Sequence, residues 1–226
     1  MTTAIIVQSR SGSTRLPRKA FLPLGGRTLT HIVLEALSYA RTPDIRILAV
    51  PERDVKAFSP IAEEYGFYVF GGSEEDVLKR YAEAAAKYSC DVIIRATGDN
   101  PFVCPLLLDA IVMHHKAYDA ALSHFLGIAL GSGVEVISSE ALYAAATHAD
   151  TPYMREHVTP WIYANRDRYI VEEPVLSLAP ELRLTVDTAE DLARAEAILA
   201  RCGHTRPIAL KNLLPLYHAD PKIWAG

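Results

Sequence analysis

Short apolar runs and longer amphipathic stretches alternate along the first half of this chain. Residues 4–7 read Ala-Ile-Ile-Val, and residues 45–50, 68–70, 91–96 and 120–123 are similar apolar, largely β-branched or aromatic runs. Runs this short predict strands, and the uninterrupted ones predict strands buried on both faces. Between them lie helical patterns at about residues 28–41, 59–65, 73–89 and 105–116. Two carry start signals: Ser59 precedes Pro60 at a first helical position, and Ser73 has Asp76 three residues on. Strands separated by such helices predict right-handed crossovers. The expected fold class is α/β: a Rossmann-like, three-layer α/β/α arrangement around a mostly parallel sheet.

After about residue 125 the rhythm changes. Residues 131–137, Gly-Ser-Gly-Val-Glu-Val-Ile, read as a turn feeding a strand. Thr151-Pro152 opens a helix expected to run to about Asn165, residues 169–178 look extended, and residues 182–186 form another short strand. From Asp187 a helical pattern continues to Arg201, with two possible capping boxes, Asp187 with Glu190 or Thr188 with Asp191. A small β-rich arm that pairs two subunits is expected in this half. The length of 226 residues suits one domain. Its expected parts are a first half over about residues 1–125, a region over about 126–180 that carries the arm, and closing strand and helices over 181–226.

Composition narrows the class. With 50% apolar and 22% charged residues the chain reads as an ordinary globule. Three widely spaced cysteines (Cys90, Cys104, Cys202) form no metal-ligand or disulfide pattern and point to reduced thiols in a cytoplasm. No apolar stretch approaches the ~20 residues of a membrane span, and no secretory leader is evident. Charge is distributed unevenly. The net charge is −4, yet residues 1–34 hold five basic side chains and no acidic one: Arg10, Arg15, Arg18, Lys19 and Arg27. Like charges gathered on one segment repel unless an anion sits among them. The acidity elsewhere argues against a nucleic acid partner.

That basic segment follows the first predicted strand, where α/β sheets place phosphate-bearing ligands. Ser9, Ser11, Gly12, Ser13 and Thr14 are small enough for backbone N–H groups to approach phosphate oxygens. Neither the P-loop nor the dinucleotide fingerprint is present. A second constellation, residues 95–101 with Thr97, Gly98 and Asp99, should end the fourth strand. Asp99 reads equally as a Mg²⁺ ligand facing a triphosphate or as turn chemistry. A third, residues 183–192, offers Asp187 as a helix cap or as a second metal ligand beside Asp99. Glu156 and His157 read as acid–base groups or as polar helix positions, and Arg155 as a partner for an anionic acceptor. The adjacent pair His114-His115 reads as surface.

Five stretches in order and spacing resemble the cytidylyltransferases that activate sugar acids, and most of all their spore-coat-polysaccharide branch. They are residues 6–19, 72–81, 95–105, 155–160 and 182–192. The resemblance implies a nucleotidyltransferase, usually a homodimer, that uses CTP and Mg²⁺ to activate a sugar acid or related sugar with release of pyrophosphate. It implies a triphosphate loop at Arg10, Ser11, Gly12, Ser13, Arg15 and Lys19, metal held by Asp99 and Asp187, and catalysis by Lys19, Arg15 and both aspartates. Ser73, Asp76, Arg80, Thr97 and Gly98 would lie near the nucleotide, and Arg155, Glu156, His157 and Glu135 near the acceptor. Cys104 and Gly133 stand where aspartates are expected, and Arg18 where glycine is common, which leaves the acceptor open. A nucleotide-sugar-using glycosyltransferase or another sugar nucleotidyltransferase of the same fold, and a silent nucleotide-sugar-binding subunit, are the rival readings.

Overall fold

A computed structural model describes residues 1–202, 207–208 and 210–219. Strand β1 (Thr3–Gln8) sends Ala4 and Ile6 to one face of the sheet and Ile5 and Val7 to the other, all four fully buried. Burial on both faces is why the run shows no polar alternation. The short strands β2 (Pro23–Leu24) and β3 (Arg27–Thr28) lead into α1 (Leu29–Ser38). Then follow β4 (Ile45–Pro51), α2 (Val55–Glu64), β5 (Tyr68–Gly72), α3 (Val77–Lys87), β6 (Val92–Thr97) and α4 (Pro105–Ala117). The second half contains β7 (Leu122–Ser123), β8 (Leu126–Leu130), β9 (Glu135–Ser138), α5 (Ser139–His148), α6 (Pro152–His157) and α7 (Pro160–Ala164). It closes with β10 (Val171–Glu172), β11 (Val175–Arg183), α8 (Ala189–Cys202) and α9 (Leu210–Ala219).

Among the described residues the central sheet has seven strands in the order β10-β7-β9-β6-β1-β4-β5. β6, β1, β4 and β5 run parallel, and β9 joins antiparallel to β6. The chain moves outward from β1 through β4 and β5, then crosses back to the other side of β1 as β6. This reversal leaves a crevice over the carboxyl ends of β1 and β6, the usual ligand position in open α/β sheets. One sheet face packs on α1, α2, α4 and α8, and the other on α3, α5 and α7. The three-layer α/β/α expectation is therefore met. The β-rich arm is a separate parallel pair, β8 with β11, interrupted by two register shifts.

Several boundaries differ from the sequence pattern. α2 begins at Val55, so Pro60 lies inside it, and the Ser59 hydroxyl donates to the Val55 carbonyl at 2.7 Å instead of capping. The buried stripe of Phe58, Ile61 and Ala62 holds that helix against the core in spite of the proline. α3 starts one turn later than expected. Asp76 is its cap, accepting the Lys79 N–H at 2.8 Å, while the Ser73 hydroxyl takes the Asp76 N–H at 3.0 Å.

The helix expected from Thr151 breaks at Val158, where φ is 72°, because Pro160 has no N–H for the Glu156 carbonyl. His115 is buried, not at the surface. It extends the stripe Leu108, Ile111 and Val112 that α4 turns to the sheet, and its Nδ1 lies 2.9 Å from the Ser123 hydroxyl. His114 pairs with Glu172 at 2.9 Å. Helix α5 and strand β8 lie outside the predicted elements, and α9 falls within the closing segment expected over 181–226. Of the expected closing segment, residues 203–206, 209 and 220–226 lie outside the described residues.

Candidate active site

Two cavities open over the crevice. The smaller, about 310 Å³, is lined by the loop after β1 together with Lys19, Arg80, Asp99 and Asp187. The larger, about 780 Å³, lies between β6, β8 and β9 and shares Arg95, Thr97 and His157 with the first. A ligand spanning both would have one end among the early basic residues and the other beside the β8–β11 arm.

The basic loop is held by a carboxylate outside the predicted set. Ser11 donates through both its N–H and its hydroxyl to buried Asp54, at 2.8 and 2.7 Å. Ser11 thus anchors the loop, while Gly12, Ser13, Thr14, Arg15 and Lys19 face the smaller cavity with Arg10. Gly98 lets β6 come close on the other side: its N–H donates to the Gln8 carbonyl at 2.8 Å. A Cβ there would stand 2.8 Å from the Ser9 hydroxyl oxygen. Arg18 has a left-handed backbone, φ 54°, which explains why a glycine suits that position.

Asp99 and Asp187 converge. Asp187 leaves the capping role to its neighbours: Asp191 accepts the Thr188 N–H at 3.0 Å and donates its own N–H to the Thr188 hydroxyl at 3.2 Å. The segment after β11 is tied to β6 by the Val186 N–H donating to the Asp99 carbonyl at 2.9 Å. Lys19 Nζ then lies 3.2 Å from Asp99 Oδ2 and 3.0 Å from Asp187 Oδ1. The two carboxylates are therefore no farther apart than those distances laid end to end.

Arg15 and Arg183 also reach Asp187, at 3.0 and 2.8 Å, and the Thr97 hydroxyl donates to Asp99 at 2.6 Å. Partial burial works to raise the Asp187 carboxyl, but the Lys19 hydrogen bond and charge, aided by Arg15, hold it below the ordinary aspartate value. Two hard oxygen donors already drawn to one cation could equally hold a divalent ion completed by ligand oxygens.

The other predicted residues divide. Arg80 lines the smaller cavity and is 2% exposed. Its Nη1 donates to the Ser73 carbonyl, and its Nε has no partner among the described residues. Burial holds its guanidinium below the ordinary arginine value. Ser73 and Asp76 shape the start of α3 and line neither cavity.

Arg155 pairs with Asp76 at 3.3 Å, and Arg10 with Glu156 at 3.8 Å. Of the four acceptor candidates, Glu135 and His157 line the larger cavity, whereas Glu156 faces the smaller and Arg155 neither. Glu135 is fixed by Arg95 at 2.7 Å, Thr159 at 3.0 Å and Tyr163 at 3.2 Å.

Asp54, Arg95, Arg183, Tyr163 and His124, which lines the larger cavity and pairs with Glu173 at 2.9 Å, were absent from the predicted set. Arg95 and Arg183 lie within the motif stretches, so their charge at strand ends was a usable signal. Asp54, His124 and Tyr163 sit in segments whose local pattern carries no such mark.

Residues 4–218 match the sequence profile of the cytidylyltransferase family. The chain is 34% identical over 228 residues to the spore coat polysaccharide biosynthesis protein SpsF of Bacillus subtilis, covering 96% of this chain and 94% of that protein. It is 28% identical over 246 residues to a 3-deoxy-manno-octulosonate cytidylyltransferase of Chloroherpeton thalassium, covering 89% and 99%. A solved cytidylyltransferase from Leptospira borgpetersenii superimposes with a TM-score of 0.93 at 28% identity, over 99% of this chain and 97% of that one. A profile match across nearly the whole chain, together with these relatives, makes this protein a nucleotidyltransferase that belongs to the cytidylyltransferase family.

Proposed function

We propose that the protein transfers CMP from CTP to a hydroxyl of a sugar acid or related sugar, releasing pyrophosphate, in cell-surface or spore-coat polysaccharide biosynthesis. The observation that carries this reading is the Lys19 ammonium bridging Asp99 and Asp187 at the floor of an arginine-rich cavity. Two of the relatives named above support the acceptor class, one by its polysaccharide role and one by its sugar-acid substrate.

The acceptor oxygen forms a bond to the α-phosphorus as the bond to the β-phosphate oxygen breaks. The hydroxyl proton passes to solvent, and pyrophosphate carries away the electron pair. Arg15, Lys19 and the backbone of residues 12–14 would hold the phosphate oxygens in line and balance the charge that grows on the leaving group. Arg80 would face the base and ribose end. Mg²⁺, held by Asp99 and Asp187, would neutralise phosphate charge and orient its oxygens. Glu135, kept in one orientation by Arg95, Thr159 and Tyr163, would position acceptor hydroxyls with His157.

This reading assigns the nucleotide to residues 1–125, the acceptor to 126–180 and closure of the site to 181–226. The β8–β11 arm, with exposed Leu126, Leu130 and Val175, would pair two copies in a homodimer. A cytoplasmic setting agrees with the buried thiols of Cys90 and Cys104. No helix is long and apolar enough to cross a membrane among the described residues.

The test incubates the protein with CTP, Mg²⁺ and a sugar-acid panel and measures pyrophosphate. Release that needs all three components supports the reading. Release of a nucleoside diphosphate from a nucleotide sugar would mean glycosyl transfer instead, and no turnover with any acceptor would favour a binding subunit.

A further inference from the structure

The mechanism above uses the Lys19 ammonium at the leaving phosphates, yet the structure seats it between the two aspartates. It contacts Asp99 Oδ2 at 3.2 Å and Asp187 Oδ1 at 3.0 Å. The other oxygen of each aspartate is engaged elsewhere. Thr97 donates to Asp99 Oδ1 at 2.6 Å, and Arg183 and Thr185 donate to Asp187 Oδ2 at 2.8 and 3.3 Å. Lys19 thus covers the two oxygens that a shared divalent ion would use.

Charge reinforces the obstruction. Arg15 also contacts Asp187 Oδ1, and Arg183 is shared with Asp191, whose own partner is Arg194. Four cations (Lys19, Arg15, Arg183, Arg194) therefore face three carboxylates, a surplus of positive charge. The side chains of Lys19, Asp99 and Asp187 are 17, 30 and 15% exposed, so water screens these charges only in part. A bare divalent ion would meet repulsion here. The described residues hold no group of three or more acidic, His or Cys side chains that could outweigh it.

A triphosphate changes both conditions. Its oxygens bring negative charge and the ligands that two carboxylates leave missing. They also offer the ammonium a second partner within the cavity that Lys19 lines with Arg10, Ser13 and Arg15. The long flexible lysine stem lets the charge follow. We infer that Lys19 is a built-in stand-in for the divalent cation: its ammonium keeps a bare ion off Asp99 and Asp187, and swings to the triphosphate when nucleotide binds. Ion and nucleotide then enter together, each raising the affinity for the other. This rests on the CTP-dependent reading above and adds the order in which the site fills.

Electron paramagnetic resonance with Mn²⁺ alone tests the first half without nucleotide or acceptor. The wild-type protein is expected to bind the ion weakly. Lys19→Met should bind one Mn²⁺ at least about tenfold more tightly, because the two carboxylates lose their shared cation. Adding Asp99→Asn to Lys19→Met should remove the gain. Nitrogen-15 NMR of the lysine ammonium groups tests the second half in the wild-type protein, with Lys19 identified by the resonance missing from Lys19→Arg. CTP in the presence of EDTA should move that resonance, whereas millimolar Mg²⁺ alone should leave it in place.

Mn²⁺ binding in Lys19→Met no tighter than in the wild type would overturn the inference, as would a gain that survives Asp99→Asn. So would a Lys19 resonance that moves with Mg²⁺ alone, or one that stays still while calorimetry shows CTP bound. The NMR arm decides the matter even where Lys19→Met does not fold. Absence of CTP binding would sink the cytidylyl reading and the nucleotide half of this inference, whereas the Mn²⁺ series would still show whether Lys19 excludes the ion.

Discussion

Lys19 lies between two carboxylates at 3.2 and 3.0 Å, so each aspartate matters through charge placed at one point. Removing a charge-assisted contact from such a site commonly costs ~2.7–4 kcal/mol of transition-state stabilisation. Asp99→Asn and Asp187→Asn should each lower kcat about a hundred- to a thousandfold while the melting temperature shifts by only about 3 °C. Pyrophosphate release at more than a tenth of the wild-type rate in either variant would refute the assignment.

The titration of Asp187 has a definite sign. Its folded carboxyl sits below the ordinary aspartate value of ~3.9, so the unfolded chain takes up the proton first as pH falls. The resulting stabilisation is complete above that ordinary value and disappears as pH drops through the lower folded value. Lys19→Met leaves burial without its main opposing charge and should raise the Asp187 titration seen by carboxyl NMR. An unmoved resonance midpoint would show that Lys19 does not set it.

Elements add a constraint that single residues do not show. The capping box at the start of α8 uses Thr188 with Asp191, which frees Asp187 for Lys19. Both registers were legible in the chain; the choice between them was not, because each satisfies the same helix-end N–H groups. On α4, His115 illustrates the same limit. Its helical spacing with Leu108, Ile111 and Val112 marks a buried stripe, yet adjacency to His114 suggested a solvent-facing pair.

Burial next to Ser123 pushes His115 down to about 4, against a small opposing pull from Asp119 and a further push from Lys116 and His114. With the folded value depressed, the unfolded state protonates first as pH falls below ~6.5. Stability should therefore decline by ~3 kcal/mol between about pH 6.5 and 4 through this group alone. Urea denaturation across that range should show a shallower decline in His115→Gln. Parallel slopes for the two proteins would assign the acid sensitivity elsewhere.

At the scale of the molecule, the site is assembled from segments distant in the chain: the loop after β1, the end of β6 and the segment after β11. A nucleotide that contacts all three should bind the native state and not the unfolded one. At a hundredfold excess over its Kd, CTP with Mg²⁺ should stabilise the protein by ~2.7 kcal/mol, a rise in Tm of about 5–11 °C for a chain of this size. Asp99→Asn should lose most of that rise. A full rise in the variant would place the nucleotide away from the aspartates.

Much of this architecture was readable beforehand, because strand periodicity and helix stripes are set by near neighbours in the chain. The apolar run at residues 4–7 needed nothing more to be recognised as a central strand, and the excess of arginine after it was plain from residue types. Three-dimensional packing decided the rest. The Val186 N–H bonding to the Asp99 carbonyl brings Asp187 to Asp99. Asp54 holds Ser11 from the helical turn that leads into α2, and Gln8 and Arg80 line one cavity only because β1 lies against α3. Contacts of that kind depend on which surfaces meet after the helices fold over the sheet, and no local spacing of residues encodes that meeting.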